Sequence, residues 1–243
     1  MLSKAKIKFI KSLQIKKYRK QEQCFVVEGA KSVRELLISD FLVQSVIGTS
    51  EFLSTINPAS GVEVIEASPQ DLQGLGEFQT NDAAVAVARI KPNKHFSIDG
   101  NEYVLALDDI RDPGNLGTII RTADWFGLKK IVASSETADF YNQKVINATM
   151  GSFTRMTMYY TDLALYLETI KVPVYGAYLD GKAIDRMEFG SGGLILIGNE
   201  SRGIASTLEQ FVTERVTIPK VGEAESLNAA IAAGILCYAV SVR

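Results

Sequence analysis

Apolar and polar positions follow a mixed strand and helix pattern over the first 90 residues. Residues 2–20 place Leu, Ile and Phe among lysines at roughly helical spacing, which predicts one or two short amphipathic helices. Ser68 and Pro69 carry the N-cap and first-turn proline signal of another helix. The remaining pattern predicts a helix over 30–38 and strands over 24–27, 43–48, 62–65 and 83–89. Alternating strands and helices of this kind predict a small α/β domain.

From Tyr103 the apolar runs become continuous. They predict strands over 103–107, 130–133, 172–178, 194–197 and 216–218. Continuous apolar runs indicate strands that are buried on both faces, as in a mostly parallel sheet with helices on both sides. The last segment, 227–242, is nearly all apolar but too short to span a bilayer, so it predicts a buried helix.

A polar, turn-rich stretch without periodicity separates the two regions. It runs from Lys91 to Asn101 and holds the single histidine, His95, which we expect on the surface. We therefore predict a first domain over 1–95, a linker over 96–102 and a second domain over 103–243.

Composition excludes several classes of protein. With 47% apolar and 22% charged residues, the chain is globular rather than disordered. Cys24 and Cys237 are too few for a disulfide scaffold or a cysteine zinc site, and one histidine disfavours a His-based metal centre or a Ser-His-Asp triad. We expect no metal. The basic N-terminus lacks the apolar core of a signal peptide, so we predict a cytoplasmic protein without a membrane segment.

The net charge of −2 conceals an uneven distribution. Residues 1–34 hold ten basic and two acidic side chains, while the remainder is acidic by ten charges. A basic head on an acidic body favours a polyanion bound at one end, although a solvated helix face is the alternative. The candidate RNA-binding residues are Lys16, Lys17, Arg19 and Lys20.

Three turns at or near strand ends are the candidate site, since open α/β sheets bind ligands there. The first spans 108–117 and leads into a helix with Arg121. The second spans 198–203, and the third runs from Ile218 to the start of the last helix. The nucleotide signatures G-x-x-x-x-G-K-[ST] and G-x-G-x-x-G between a strand and a helix are absent, which disfavours a P-loop NTPase or an ordinary dehydrogenase.

These turns resemble a known family. Asn115-x-Gly117-x-x-x-Arg121, Gly198-Asn199-Glu200, and Ile218-Pro219 with Ser226-Leu227-Asn228 look like the three motifs of the SpoU (TrmH-like) RNA ribose 2′-O-methyltransferases, in the SPOUT superfamily. The head, from Lys17 to Gly29, resembles the small α/β substrate-binding domain, of the ribosomal-protein L30e type, found in front of many members. Ser201 and Lys220 depart mildly from the family pattern, as does Ala229-Ala230.

The resemblance implies a fold, a cofactor and an assembly. The second domain would be a SPOUT methyltransferase domain with a deep trefoil knot, and S-adenosylmethionine would bind in that knot. Homodimers with the active site near the subunit boundary are also implied. The cofactor would be held mainly by backbone groups of Gly198, Asn199, Ile218, Pro219 and Leu227.

Methyl transfer to a ribose hydroxyl needs the hydroxyl held in line and its developing negative charge stabilised. Arg121 is the candidate for both, through the phosphate next to the target ribose. A direct role in deprotonation would need help from that phosphate, because a guanidinium keeps its proton. The flanking apolar residues predict that the helix of Arg121 is largely buried.

The other candidates leave alternatives open. Asn115 either hydrogen-bonds the ribose, fixes its loop or caps a helix. Glu200 orients Arg121 or Asn115, or accepts backbone N–H groups of its own loop. Ser226 fits a helix cap, whereas Asn228 falls inside the predicted first turn and is the better functional candidate.

We therefore expect an S-adenosylmethionine-dependent 2′-O-methyltransferase acting on structured RNA, either 23S rRNA or tRNA. The first alternative is a non-catalytic RNA-binding protein of ribosome assembly. The second is an atypical nucleotide-dependent oxidoreductase, disfavoured by the missing dinucleotide turn. The last helix is apolar all round, so its outer face must meet either a loop of the same chain or another subunit. We predict the second arrangement, a homodimer through the C-terminal domain.

Overall fold

The computed structural model describes residues 2–77, 81 and 83–242. Its contacts divide the chain into two units. The first unit comprises Met1–Pro92 with Asp139–Thr154, and the second comprises Asn93–Ala138 with Arg155–Arg243. The junction at residues 92 and 93 falls within the predicted turn-rich stretch. The return of Asp139–Thr154 to the first unit is a feature that the predicted linear division does not contain.

The helices are α1 Lys4–Ser12, α2 Lys16–Glu22, α3 Ala30–Leu37, α4 Ser50–Leu53, α5 Pro69–Gln73, α6 Pro113–Trp125, α7 Gln143–Thr149, α8 Leu163–Leu167, α9 Ser206–Glu209 and α10 Ala229–Ser241. The strands are β1 Cys24–Glu28, β2 Val43–Gly48, β3 Glu63–Glu66, β4 Ala84–Arg89, β5 Tyr103–Leu107, β6 Lys130–Ala133, β7 Thr157–Tyr160, β8 Val174–Ala183, β9 Gly193–Ile197 and β10 Glu214–Thr217. Short 3₁₀ helices lie at Ser152–Arg155 and Ile184–Arg186.

The first unit is built on a four-stranded sheet in the order β1-β4-β2-β3. The pairs β1–β4 and β2–β4 are antiparallel, and β2–β3 is parallel. The lysine-rich start forms two helices, which are separated at residues 13–15, and a left-handed Gln23 ends α2 before β1. Ser68 caps α5, with Pro69 in its first turn, and forms a capping box with Asp71. The predicted α/β domain and the Ser68 cap are therefore confirmed.

The segment Asp139–Thr154 completes the core of the first unit. The rings of Tyr141 and Phe153 pack on Phe25 of β1, with centroid distances of 4.7 and 5.9 Å. Phe41 joins them at 5.5 Å from Phe25. Aromatic pairs at these distances bury large apolar areas. This cluster is the physical reason why a stretch between α6 and β7 belongs with the N-terminal sheet.

The second unit contains a six-stranded sheet, in which every pair of neighbours is parallel and the order is β10-β8-β9-β5-β6-β7. One face packs on α8 and α9, whose buried residues include Leu163, Leu167 and Leu208. Successive residues of a strand point to opposite faces of the sheet. Helix α10 packs on α6 and contacts strand β9. The predicted α/β fold with a parallel sheet is confirmed. The knot stays a prediction.

One strand was missed. The four residues of β7, Thr-Met-Tyr-Tyr, are exposed or half-buried, because β7 is an edge strand of the sheet. An edge strand that is covered less completely lacks the continuous apolar run that marked β5, β6 and β9.

The last helix is shorter than the predicted 227–242 and begins at Ala229. Its inner face is buried through Ala233, Leu236 and Cys237, whereas Ile231, Tyr238 and the following Val242 are exposed. The predicted complete burial is therefore wrong for this chain taken alone. Burial nevertheless raises the pKa of the Cys237 thiol to about 12. Within the described residues, no helix combines the length and apolar character that crossing a membrane requires.

Candidate active site

A cavity of about 690 Å³ lies in the second unit, where β9 and β10 end. Its walls include the loop that follows β9 and the loop between β10 and α10. All five predicted cofactor-binding residues line it: Gly198, Asn199, Ile218, Pro219 and Leu227. Two predicted catalytic residues, Glu200 and Ser226, line it as well. The second and third of the turns chosen from the sequence therefore converge on one cavity.

The β9 loop folds back on itself too tightly for a side chain at its first position. A Cβ on Gly198 would lie 2.2 Å from the carbonyl carbon of Gly203. The backbones of Asn199 and Gly203 bond reciprocally, at 3.0 and 2.8 Å. The Asn199 side chain holds the loop, since its Oδ1 accepts from the amides of Ser201 and Arg202 at 3.0 and 3.2 Å. Backbone groups are thus what this loop offers to a ligand.

Three predicted catalytic residues from three separate turns form one hydrogen-bonded chain. Asn115 Nδ2 donates to Glu200 Oε1 at 2.6 Å. Asn228 Nδ2 donates to Asn115 Oδ1 at 2.9 Å. Glu200 was expected to orient Arg121 or Asn115, or to accept backbone N–H groups of its own loop. In the structure it binds and orients Asn115.

The helix caps resolve two further alternatives. Asp112 caps α6, and its Oδ1 accepts from the Asn115 amide at 2.8 Å, so Asn115 is not the cap. Asn228 caps α10, and its Oδ1 accepts from the amides of Ala230 and Ile231. The expectation that Ser226 is the cap and Asn228 lies inside the helix is therefore wrong, because α10 begins later than predicted. Asn228 uses its oxygen for the helix and its nitrogen for Asn115.

Arg121 lies on α6 with an exposed side chain and is not part of the cavity wall. Across the described ranges no side chain or carbonyl pairs with it. The expected burial is wrong for a geometric reason: at 100° per residue, position 121 points away from Ile119 and Ala123, which face the core. The structure thus leaves a free guanidinium on the helix that carries Asn115.

Two carboxylates at the end of β5 had no role assigned from the sequence. Asp108 is buried, and burial raises the pKa of its carboxyl although the Ala205 amide, at 2.8 Å, favours the charged form. Asp109 adopts a left-handed conformation and pairs with both Arg111 and Arg202. Asp109 lies in the first turn chosen from the sequence, but its pairing with Arg202 could not have been predicted, because Arg202 lies on the loop that follows β9.

The candidate RNA-binding residues lie in the first unit and separate into two groups. Lys16, Lys17 and Lys20 are exposed on α2. Arg19 is 2% exposed, donates to the carbonyls of Leu13 and Gln14, and pairs with Asp139 at 2.6 Å. Arg19 therefore holds the α1–α2 corner and is unavailable to RNA. This corrects the prediction that Arg19 binds RNA. The sequence pattern could not show it, because the partner Asp139 lies 120 residues further along the chain.

His95 is exposed, as predicted. Over the described part of the chain, no group of three or more His, Cys, Asp or Glu side chains could hold a metal ion.

Two family models match the chain. The SpoU rRNA Methylase family matches residues 102–238, and the MRM3-like substrate binding domain matches residues 4–86. Among curated proteins, the 23S rRNA (guanosine(2553)-2′-O)-methyltransferase RlmP of Bacillus subtilis strain 168 is 32% identical over 237 residues. That match covers 96% of this chain and 94% of the relative.

Solved structures of RNA methyltransferases also match the fold of this chain. A protein of Porphyromonas gingivalis assigned to the TrmH family of RNA methyltransferases has a TM-score of 0.89 at 34% identity, covering 99% of this chain and 98% of its own. An AdoMet-bound rRNA methyltransferase from Sinorhizobium meliloti has a TM-score of 0.89 at 29% identity, covering 99% and 95%. With its three motifs joined by the Asn115–Glu200–Asn228 hydrogen bonds and a family match over more than half its length, the chain belongs to the SpoU rRNA methylase family.

Proposed function

We propose that this protein transfers a methyl group from S-adenosylmethionine to the 2′-hydroxyl of a ribose in structured RNA, either 23S rRNA or tRNA. The observation that carries the proposal is the Asn115–Glu200–Asn228 chain beside the cavity, in a chain of this family. The rRNA methyltransferase relatives support rRNA as the first substrate to test. The cytoplasm, where rRNA and tRNA are found, is the compartment we propose.

The cavity fits the cofactor by its size and by its lining. Small-molecule sites commonly enclose about 300–1,000 Å³ and combine apolar walls with a few polar groups. Here Ile218, Pro219 and Leu227 supply apolar walls, while the tight turn at Gly198 brings backbone groups to the surface of the cavity. When bound, S-adenosylmethionine supplies an electrophilic methyl group on a sulfonium.

The residues of the chain then act on the hydroxyl. Glu200 and Asn228 hold the Asn115 amide from both ends, so Asn115 is fixed beside the cavity as a positioning residue. Arg121 supplies a permanent positive charge, which we assign to the RNA phosphate next to the ribose and to the oxygen as it loses its proton. That proton passes to the phosphate or to water, because a guanidinium does not accept it.

RNA binding is assigned to residues 1–95. The support is the match to a substrate-binding domain model and the exposed lysines of α2. Lys16, Lys17 and Lys20 are placed to meet phosphates, which bind without regard to sequence. Selection of one RNA by this domain is part of the proposal.

We also propose a homodimer through the C-terminal domain. Ile231, Tyr238 and Val242 are exposed on one face of α10 and its C-terminal end, at intervals of seven and four residues. Trp125, at the end of α6, is 83% exposed. Adjacent exposed apolar residues on a helix support contact with a second subunit. If the active site lies close to the boundary between the subunits, the exposed Arg121 would face the second subunit.

The test is methyl transfer with a labelled donor. Purified protein is mixed with S-adenosylmethionine carrying a tritiated methyl group and with protein-free 23S rRNA or tRNA. Label in RNA, mapped by mass spectrometry to a 2′-O-methylated nucleotide, is the expected result. Tight RNA binding without label would indicate the non-catalytic binding protein instead, and calorimetry with NAD beside S-adenosylmethionine tests the oxidoreductase alternative.

A further inference from the structure

Two arginines share one carboxylate at the same end of the sheet as the cavity. Arg111 Nε lies 2.5 Å from Asp109 Oδ1, and Arg202 Nη2 lies 2.9 Å from Asp109 Oδ2. The Asp109 side chain is only 14% exposed, whereas the arginine side chains are 60% and 65% exposed. The carboxylate is therefore the buried base of the cluster, and the two guanidinium groups are its outer surface.

Asp109 is held firmly enough to orient both arginines. Its φ of 60° places it in the left-handed region, which is uncommon for a residue other than glycine. Its amide donor is bound to Ser134 Oγ at 2.9 Å, and its carbonyl oxygen accepts from Asn199 Nδ2 at 2.9 Å. Residues following three different strands thus meet at one aspartate.

The arginines keep most of their donors. A guanidinium has five N–H groups, and one from each arginine is used on Asp109. In the parts of the chain that the structure describes, the others have no acceptor. An exposed ion pair contributes little to stability, so pairing with Asp109 alone does not account for two arginines here. Free N–H groups on a fixed guanidinium match the oxygens of a phosphate.

Two further carboxylates act on the charge of this cluster. Asp108 is buried and bound to the Ala205 amide, while Glu136 is exposed and accepts from Ser135 Oγ. An acidic ligand would therefore be recognised by directed hydrogen bonds more than by the surrounding charge. This favours a phosphate held by two guanidinium groups over a diffusely attracted anion.

The location joins the cluster to the reaction. Arg202 is part of the cavity wall, and Arg111 directly precedes Asp112, the cap of the helix that bears Asn115. The methyl acceptor is a ribose with a phosphate on either side. Because these groups are covalently joined, holding a phosphate fixes the position of the neighbouring 2′-hydroxyl.

We propose that Arg111 and Arg202, held on Asp109, bind an RNA phosphodiester beside the target ribose and so position its 2′-hydroxyl. The inference rests on the proposed function and specifies how that site recognises its substrate. The two arginines are positioning residues, separate from the lysines of α2. Their binding is directed to the backbone and is independent of the base.

The test compares Arg111→Ala, Arg202→Ala and the corresponding lysine variants, with protein-free 23S rRNA as the probe. Each alanine variant should raise the KM for RNA about tenfold. For Arg111→Ala, whose side chain is outside the cavity wall, the cofactor Kd measured by calorimetry without RNA should change less than twofold. The slope of log K for RNA binding against log salt concentration should become less steep by about 0.7–0.9 for each arginine removed. Lysine variants should restore the salt dependence but not the full affinity, because lysine lacks the planar fork.

Lys171→Ala is the matched control, since Lys171 is exposed and precedes β8, whereas the arginine cluster lies at the opposite, C-terminal ends of the parallel strands. It should leave KM and salt dependence unchanged. Alanine variants with wild-type KM and wild-type salt dependence would overturn the inference and leave a purely structural ion-pair cluster, while methylation by the wild type would still support the proposed function. If the wild type transfers no methyl group, the proposed function fails, and filter binding of the same variants still decides the phosphate contact.

Discussion

Both the nitrogen and the oxygen of the Asn115 side-chain amide are occupied by hydrogen bonds, and this limits what Asn115 can offer to a substrate. Its nitrogen is bound to Glu200 and its oxygen to Asn228. Little of its side chain is left for a ribose, so fixing the geometry is its main contribution. Arg121 is the residue of the first motif that remains free to meet substrate.

Replacing Arg121 by alanine should abolish detectable methyl transfer while leaving cofactor affinity within a few-fold. The reason is that the side chain is exposed and outside the cavity wall, so it serves the hydroxyl rather than the donor. Loss of a charge that stabilises a developing oxyanion typically costs about 10²–10³-fold in rate. Steady-state kinetics and calorimetry measure the two effects. Arg186→Ala, at another exposed arginine, is the control, and substantial turnover by Arg121→Ala would refute the assignment.

Gly198→Ala and Gly222→Ala form a matched pair in the wall of the same cavity. The first places a methyl group 2.2 Å from backbone, whereas the second meets nothing within 4 Å. Overpacking of this kind costs about 1–3 kcal/mol, so Gly198→Ala should lower the melting temperature and reduce cofactor affinity at least tenfold. Gly222→Ala should match the wild type. Equal cofactor binding by the two variants would contradict the tight-turn explanation.

At the scale of elements, α2 presents its charges on one surface because Arg19 is buried beneath it. The buried guanidinium satisfies two carbonyls at the end of α1 and pairs with Asp139. Such a corner leaves Lys16, Lys17 and Lys20 pointing to solvent. A rigid array of lysines suits a phosphate backbone.

Changing Lys16, Lys17 and Lys20 together to glutamine should weaken RNA binding. The slope of log K against log salt concentration should also become less steep by about two. The matched control changes three exposed lysines of the second unit, Lys129, Lys171 and Lys182. Both variants lose three charges, so a difference between them reports location rather than net charge. Equal weakening would mean that general electrostatic attraction, and not α2, binds the RNA.

The elements also show what the sequence could predict. Strands β2, β5 and β6 were predicted to the residue, because their apolar runs are local and end at turns. The placement of α7 in the first unit was not predictable, since no local pattern encodes a partner such as Phe25. Charge counting likewise could not separate Arg19 from its neighbours, because burial depends on Asp139. The cavity residues were found through the family resemblance, and their hydrogen bonds only through the structure.

For the whole molecule, we expect the exposed apolar residues of α10 to form the interface of the proposed homodimer. Ile231→Lys combined with Tyr238→Lys should convert a dimer into a monomer, because each lysine places a charge in the proposed interface. Light scattering at micromolar concentration measures the mass. Leu165→Lys is the control at an exposed apolar residue on α8 and should leave the mass unchanged. A wild-type mass of one chain with full activity would refute the dimer.

The return of Asp139–Thr154 to the first unit affects how the protein is made. A ribosome releases the N-terminal sheet long before it releases Tyr141 and Phe153, which complete the aromatic cluster around Phe25. Until then Arg19 lacks Asp139, and Glu28 lacks Asn147 Nδ2, which lies 2.5 Å from its carboxylate in the finished protein. Translation therefore has to pass well into the methyltransferase region before the first unit can finish its core. Vectorial synthesis therefore still completes the first unit before the second, but only after the first part of the second unit, Asn93–Ala138, has been made.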